Sequence, residues 1–509
     1  MAKTKNQLLA EALAEVSKSA VGNIVHSKNI NPNQQRLLFK NGYLKRIIRG
    51  WYLFDADFAA QSAGESALWH ESIWSFIGQY LYARFKGNYW LSSEASLDIH
   101  TGNNSMPPQI VVFVKNGTEQ IIRLPNDMSL LLTSGKNMPS ELIEYQGVKV
   151  YPLESATANS VPSSYKNHPI SMQIALHSAN LGKLAEALMR SKNKASAGRI
   201  IGAYEALDMR AESKKLNSIL SSIFDSINVK NPFEIAPVQV GAWKKEAASA
   251  YRVRIKWEQS SKVVNALYSK IKPEFNFYKK PISQTLEAVN ELYVHDAYHS
   301  LSIEGYAVTP DLIERVSRGD WSPETVEQDN DARNALAARG YYDAFNLVKA
   351  SLSEAHNKED LNYLIDVGIT QWNTALFSPC VTAGLVSELD LAGYRRNPIY
   401  IRNSRHVPPA YEQLIDCMQA LKECIADEDS FVVKAILAHW LFGYIHPYFD
   451  GNGRTARLLM NFIFTVGGYS WVVVKKEDKG EYMASLEAAS VGADISRFAN
   501  FIMNMAVKD

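Results

Sequence analysis

The chain has 509 residues, 46% of them apolar and 21% charged, with a formal net charge of +1. That length exceeds one ordinary core and implies about two to four domains. The balance is that of a soluble globular protein; it excludes a uniformly basic nucleic-acid coat but leaves room for a local basic patch.

The first segment carries helical apolar spacing over Gln7–Val16, and Asn31-Pro32 opens a second short helix, since proline is tolerated in a first turn. Asn41-Gly42 and Arg49-Gly50 then punctuate two strand-like runs, Tyr43–Ile48 and Trp51–Phe54. No Asp or Glu occurs between Glu15 and Asp55, an interval that holds Lys18, Lys28, Arg36, Lys40, Lys45, Arg46 and Arg49. Such local charge in a nearly neutral chain is the footprint of a nucleic-acid contact. Helices followed by a basic hairpin predict a winged helix over residues 1–58, with duplex DNA as its partner. Gln34, Gln35 and Arg36 would read base edges from the start of the recognition helix, with Lys40, Lys45, Arg46 and Arg49 near phosphates. The same module reused for protein interaction or dimerisation is the plainer alternative.

Residues 59–165 mix patterns, with apolar runs at Ile110–Val114, Ile121–Leu124, Leu130–Leu132 and Val148–Leu153 between turn signals, the mark of an α+β module. Ser160–Pro169 reads as a linker. Helices are expected at Met172–Arg190, Ala197–Asp208 and Ser213–Ile227, and in a long region from Ala242 onwards, with Pro232 and Pro237 marking a boundary. The expected order is thus a helical connector over 166–230, a helical segment over 231–290 and a mainly all-α domain over 291–509.

That last domain holds the chemistry. Phe431–Ile445 is apolar at helical spacing and ends at His446-Pro447, because the residue before proline disfavours helix. Asp450-Gly451-Asn452-Gly453 follows, then a second apolar helix from Arg454. A glycine loop at a helix N-terminus lets backbone N–H groups approach an anion. Arg454 and Arg457 share a helical face there, an unfavourable placement without an anion between them. A polyphosphate satisfies both, Asp450 suits a Mg²⁺ carried by it, and His446 supplies a proton acceptor. Taken singly, these features are a helix terminus, a turn and a solvated face; together they supply the parts of a phosphate-transfer site.

His446-Pro-Tyr-Phe-Asp450-Gly451-Asn452-Gly453-Arg454-Thr-Ala-Arg457 resembles the Fic motif, HPF-x-(D/E)-GNGR-x-x-R, departing only at Tyr448, an aromatic swap at a packing position. The resemblance implies a protein adenylyltransferase that moves AMP from ATP to a hydroxyl of a target protein or of itself. His446 would take the hydroxyl proton, Asp450 would hold Mg²⁺, and Gly451, Asn452 and Gly453 would cradle phosphate oxygens. Arg454 and Arg457 would meet the β- and γ-phosphates. Ala392–Arg395 with Pro398, Ile399, Tyr400 and Ile401 resembles the family's flap, implying a small β-hairpin that aligns the target by strand addition. Ser300-Leu-Ser-Ile-Glu304-Gly305 closes a helical segment and resembles the family's inhibitory motif, so Glu304 is expected to pair bidentately with Arg457 and block ATP placement. Gly305 alone reads as an ordinary helix cap.

Leu38–Tyr52 and Trp90–Leu97 also resemble AbiEi-like antitoxins, more loosely, over residues 5–165. Two other readings stay open: a DNA-binding regulator whose Fic domain senses ATP, and removal of AMP from a modified protein. Homo-oligomerisation is open too. Cys380, Cys417 and Cys424 are too few for a disulfide framework and lack metal spacing. With neither a signal segment nor a membrane-length apolar run, a cytoplasmic location without a membrane partner is expected.

Overall fold

A computed structural model describes residues 4–55, 65–238, 246–271, 281–320, 329–356 and 360–508. Two compact units emerge: Met1–Trp243 together with Ile399–Val407, and Lys244–Pro398 together with Pro408–Asp509.

The first unit begins with α1 (Lys5–Ser19), β1 (Ile24–His26), α2 (Pro32–Lys40), β2 (Leu44–Ile48) and β3 (Trp51–Phe54). Thr4 and Gln7 form a capping box on α1, and the Asn31 side chain caps α2 ahead of Pro32. The strands pair antiparallel in the order β1-β3-β2 over a small core that includes Val16, Leu38, Leu44 and Phe54. Helices followed by a hairpin are therefore present, with one short strand, β1, that the sequence reading lacks.

Next come α3 (Glu65–Phe85), β4 (Tyr89–Leu91), α4 (Ser93–His100), β5 (Gln109–Lys115), β6 (Gln120–Arg123), β7 (Ser129–Gly135), β8 (Ile143–Tyr145) and β9 (Val148–Val150). A four-stranded sheet runs β4-β5-β7-β6, with β5 and β7 parallel at its centre. Ile110, Val112 and Val114 alternate inward, as do Leu130 and Leu132, which fixes the register. Helices α5 (Leu153–Ala158), α6 (Pro162–Asn167), α7 (Pro169–Ser178), α8 (Leu181–Ser191), α9 (Lys194–Ala206) and α10 (Arg210–Ser221) complete the unit. Two expectations change here. The expected linker contains α6, with Pro162 in its first turn, and the expected helix Met172–Arg190 is two helices. The break falls at Asn180, whose side chain accepts from the Lys183 N–H at 3.1 Å and restarts the helix.

The second unit is helical: α11 (Ala248–Ile271), α12 (Ile282–Ile303), α13 (Pro310–Arg318), α14 (Asp329–His356), α15 (Leu361–Thr382), α16 (Glu388–Leu391), α17 (Leu414–Asp427), α18 (Phe431–Ile445), α19 (Asn452–Val466), α20 (Lys479–Val491) and α21 (Ser496–Lys508). Almost every residue of α18 is buried, so it is the centre of the core and not a surface helix. The expected start of the long region, Ala242, lies outside the described residues.

The β-hairpin flap is a correction. Pro398, Ile399, Tyr400 and Ile401 belong to no strand, and among its described residues the second unit has none. Pro398 lacks a ladder donor, and Asn403 turns the chain at a φ of 59° soon after. Residues 399–407 pack instead with the first unit: the Met106 N–H donates to the Arg405 carbonyl at 2.8 Å, and the Tyr400 and His70 rings lie 6.1 Å apart.

Candidate active site

The site gathers at the junction of α18 and α19. His446 ends α18 in the left-handed region, φ 53° and ψ 59°, an unusual conformation for a residue with a Cβ. Its carbonyl accepts from Arg395 Nε at 2.8 Å, and Arg395 also donates to the Asn397 and Pro409 carbonyls. The His446 Nδ1 lies 3.2 Å from the Gly443 carbonyl. A carbonyl only accepts, so Nδ1 carries the proton and Nε2 keeps its lone pair. Burial, with Arg395 nearby, pushes the His446 pKa down to about 4, so the ring is neutral at ordinary pH.

The loop is stapled from inside. Asn452 Oδ1 accepts from the Tyr448 N–H and its Nδ2 donates to the Tyr448 carbonyl, both at 2.9 Å. Asn452 thus staples the loop backbone through both ends of its side chain. Asn373 Nδ2 donates to the Asp450 carbonyl and to Thr455 Oγ1, and Gly451 adopts a φ of 77° that favours glycine. Tyr448 packs against Tyr394 and Phe442, and its hydroxyl meets Thr370 Oγ1 at 3.2 Å, so the departure from the motif is accommodated. Asp450 is exposed; its Oδ1 accepts from the Gly451 N–H at 2.5 Å and lies 3.6 Å from Arg454 Nη2.

The two arginines have different surroundings. Arg454 is 1% exposed, with its guanidinium 4.9 Å from the Phe377 ring centre and 5.3 Å from that of Tyr306. Among the described residues its Nε and Nη2 have no hydrogen-bond partner. A buried guanidinium at a helix N-terminus suits an anion. Arg457 is saturated instead: Nε donates to Ser300 Oγ at 3.0 Å, and Nη2 donates to the Ser300 carbonyl at 3.1 Å and to Glu304 Oε1 at 2.7 Å. The Glu304 contact uses one carboxylate oxygen, so the pair is monodentate where a bidentate one was expected. Ser300 takes the Nε side of the fork.

Glu304 caps α12, Gly305 follows at φ 92°, and the Gly305 and Tyr306 N–H groups return to the Ser302 and Leu301 carbonyls. That is a Schellman ending, so the ordinary helix-cap reading of Gly305 also holds, and it aims the carboxylate. A Cβ at Gly453 would collide with Glu304 Oε1, so the carboxylate lies against the first turn of α19. Burial alone would raise the Glu304 carboxyl, but Arg457 and Arg454 together hold it below the usual carboxylate range.

Several contributors escaped the sequence reading: Tyr306, Phe377, Asn373 and His439. His439 Nε2 and the Tyr482 hydroxyl are 2.9 Å apart, and the same hydroxyl meets Arg457 Nη1 at 3.5 Å. Burial, then Arg457, pushes His439 down to about 3. These residues stand far apart in the chain and belong to no spacing pattern.

In the first unit, Gln34 donates to Glu15, Gln35 donates to the Tyr52 hydroxyl at 2.7 Å, and Lys45 lies 4.0 Å from the buried Asp55 carboxylate. Those three expected DNA contacts are engaged within the module, whereas Arg36, Lys40, Arg46 and Arg49 are exposed.

Residues 369–464, which hold this loop, match the Fic/DOC family. The protein adenylyltransferase Fic of Aedes aegypti is 31% identical over 223 residues, 42% of this chain and 40% of that protein. The one from Nematostella vectensis is 28% identical over 221 residues, 42% of this chain and 47% of that protein. The chain thus spans less than half the length of these relatives. Among solved structures, Fic-1 (residues 134–508) from C. elegans is 18% identical with a TM-score of 0.37, covering 70% of this chain and 94% of that one.

Proposed function

We propose that the chain is a protein adenylyltransferase held off by its own α12. The observation that carries this is the pair of buried arginines on α19: Arg454 has open donors, and Arg457 is occupied by a carboxylate that stands in for a phosphate. ATP is the substrate that fits, with its β- and γ-phosphates meeting Arg454 and Arg457 once Glu304 withdraws. The neutral His446 takes the proton of a target hydroxyl at Nε2. The hydroxyl oxygen forms a bond to the α-phosphorus, the bond from that phosphorus to the bridging oxygen breaks, and pyrophosphate leaves. The product is an AMP–protein phosphodiester.

Among the described residues no cluster of three His, Cys, Asp or Glu side chains could hold a metal. The exposed Asp450 carboxylate nevertheless fits a Mg²⁺ whose other ligands are phosphate oxygens and water, the usual manner for that ion. Asp450 would hold it beside the phosphates, where it would offset their charge.

The proposed organisation keeps a winged helix at 1–58, an AbiEi-like α+β module at 59–165, helical segments at 166–230 and 231–290, and the catalytic domain at 291–509. Exposed Arg36, Lys40, Arg46 and Arg49 favour duplex DNA as a partner of the first module. No helix among the described residues is long and apolar enough to cross a membrane.

The test uses the Glu304→Gly chain with ATP labelled at either the α- or the γ-phosphate. Label reaching protein from the α-position alone, and lost in Glu304→Gly/His446→Ala, is expected. Transfer from the γ-position would replace adenylylation with phosphorylation.

A further inference from the structure

Arg454 is half of a longer stack. Its guanidinium packs on the Tyr306 ring, and the Arg333 guanidinium lies 5.5 Å from the centre of that same ring. Arg333 sits near the start of α14, and its neighbour Asn334 accepts from the Ala307 N–H at 3.1 Å, which ties the turn after Glu304 to this part of the helix. Cys380 brings the groups to one place from another direction: its thiol feels the charges of Arg454, Asp450 and Arg333 together. Arg333 is exposed.

An arginine laid on an aromatic face keeps its N–H edge free for an anion. Arg454 and Arg457 account for two of the guanidiniums a nucleoside triphosphate could meet, and the triphosphate carries more negative charge than two arginines match. Tyr306 also adjoins the Glu304-Gly305 turn, so the ring that supports both guanidiniums belongs to the segment that carries the inhibitory carboxylate.

We propose that Arg333 is a third phosphate-binding arginine of this site, specific for the terminal phosphates of a nucleoside triphosphate, and that Tyr306 orients it. This rests on the adenylyltransferase reading, because it assumes ATP as the ligand of Arg454.

The experiment is calorimetric titration of the full chain in the Glu304→Gly background with ATP, and separately with AMP. Arg333→Ala is expected to weaken ATP about ten-fold while changing AMP by less than about two-fold. Arg333→Lys should fall between, since a point charge replaces a fork. The residue is exposed, so an unchanged melting temperature is the folding control. Equal ATP affinity with and without Arg333 overturns the proposal, as does an equal loss for ATP and AMP. Failure of the Glu304→Gly chain itself to bind ATP would instead overturn the adenylyltransferase reading beneath it.

Discussion

Arg457 donates from Nη2 to Glu304 Oε1 at 2.7 Å, at a place where Gly453 leaves room for a carboxylate but not for a Cβ. The Glu304 carboxylate therefore lies against the first turn of α19, where the helix N-terminus and two arginines favour negative charge. Arg457 has further anchors. Ser300 accepts its Nε and, through the backbone, its Nη2, while the Tyr482 hydroxyl lies near Nη1. Withdrawal of Glu304 would leave the guanidinium oriented with one donor edge vacated.

Ser300 is therefore expected to act on Arg457 separately from Glu304. In the Glu304→Gly background, Ser300→Ala should raise the KM for ATP about five-fold with a smaller change in kcat, because a charged donor loses its acceptor. Steady-state kinetics against ATP decides it, and an unchanged KM would show that Ser300 does nothing for Arg457 beyond holding it near Glu304.

The pH profile follows from His446. In the proposed mechanism its neutral form is the base, and burial pushes its pKa down to about 4. The His446-dependent rate should rise with pH through about 4 and lie flat from about pH 5.5 to 8, whereas an unperturbed histidine would bend the profile near 6.5. Single-turnover rates of the Glu304→Gly chain measure this, and an inflection near 6.5 assigned to His446 would contradict the buried, neutral ring.

Asn452 is predicted to act through the loop. Asn452→Ala leaves the buried Tyr448 N–H and carbonyl unpaired, and should cost about 2–4 kcal/mol of stability. Thermal or urea unfolding reads the loss directly. A variant as stable as the parent but unable to bind ATP would return Asn452 to the phosphate-cradling role expected from the motif.

For the first module, gel retardation at varied salt distinguishes exposed from engaged side chains. Arg36→Ala and Arg46→Ala should each weaken duplex DNA and flatten the salt dependence by about one unit of slope. Gln35→Ala should act through its lost bond to Tyr52, as a drop in stability. No retardation at low salt would remove DNA as the partner.

The candidate loop is legible in the sequence because its chemistry is local. His446, Asp450, Gly451, Arg454 and Arg457 lie within one helix end, one turn and the next helix, where residue type and spacing dictate geometry. Ser300 and Glu304 were legible only as a motif. Their contact with Arg457 depends on α12 packing against α19, which no local pattern encodes. Tyr306, Phe377 and His439 carry no signal in the sequence because isolated aromatic rings look like core in any chain. The hairpin expected of the flap is absent: a short apolar run after Pro398 has strand-like composition, but its surroundings are set by residues as distant as His70 and Met106. Gln34, Gln35 and Lys45 were assigned to DNA by charge and position; their partners Glu15, Tyr52 and Asp55 became visible only in the folded module.

The most direct test of the account compares the parent chain with Glu304→Gly for self-modification by ATP labelled at the α-phosphate. Glu304→Gly should incorporate label at least about ten-fold faster, since a charge-assisted contact of about 1.5–3 kcal/mol no longer competes for Arg457. Equal incorporation by the two chains would contradict the claim that Glu304 restrains the site.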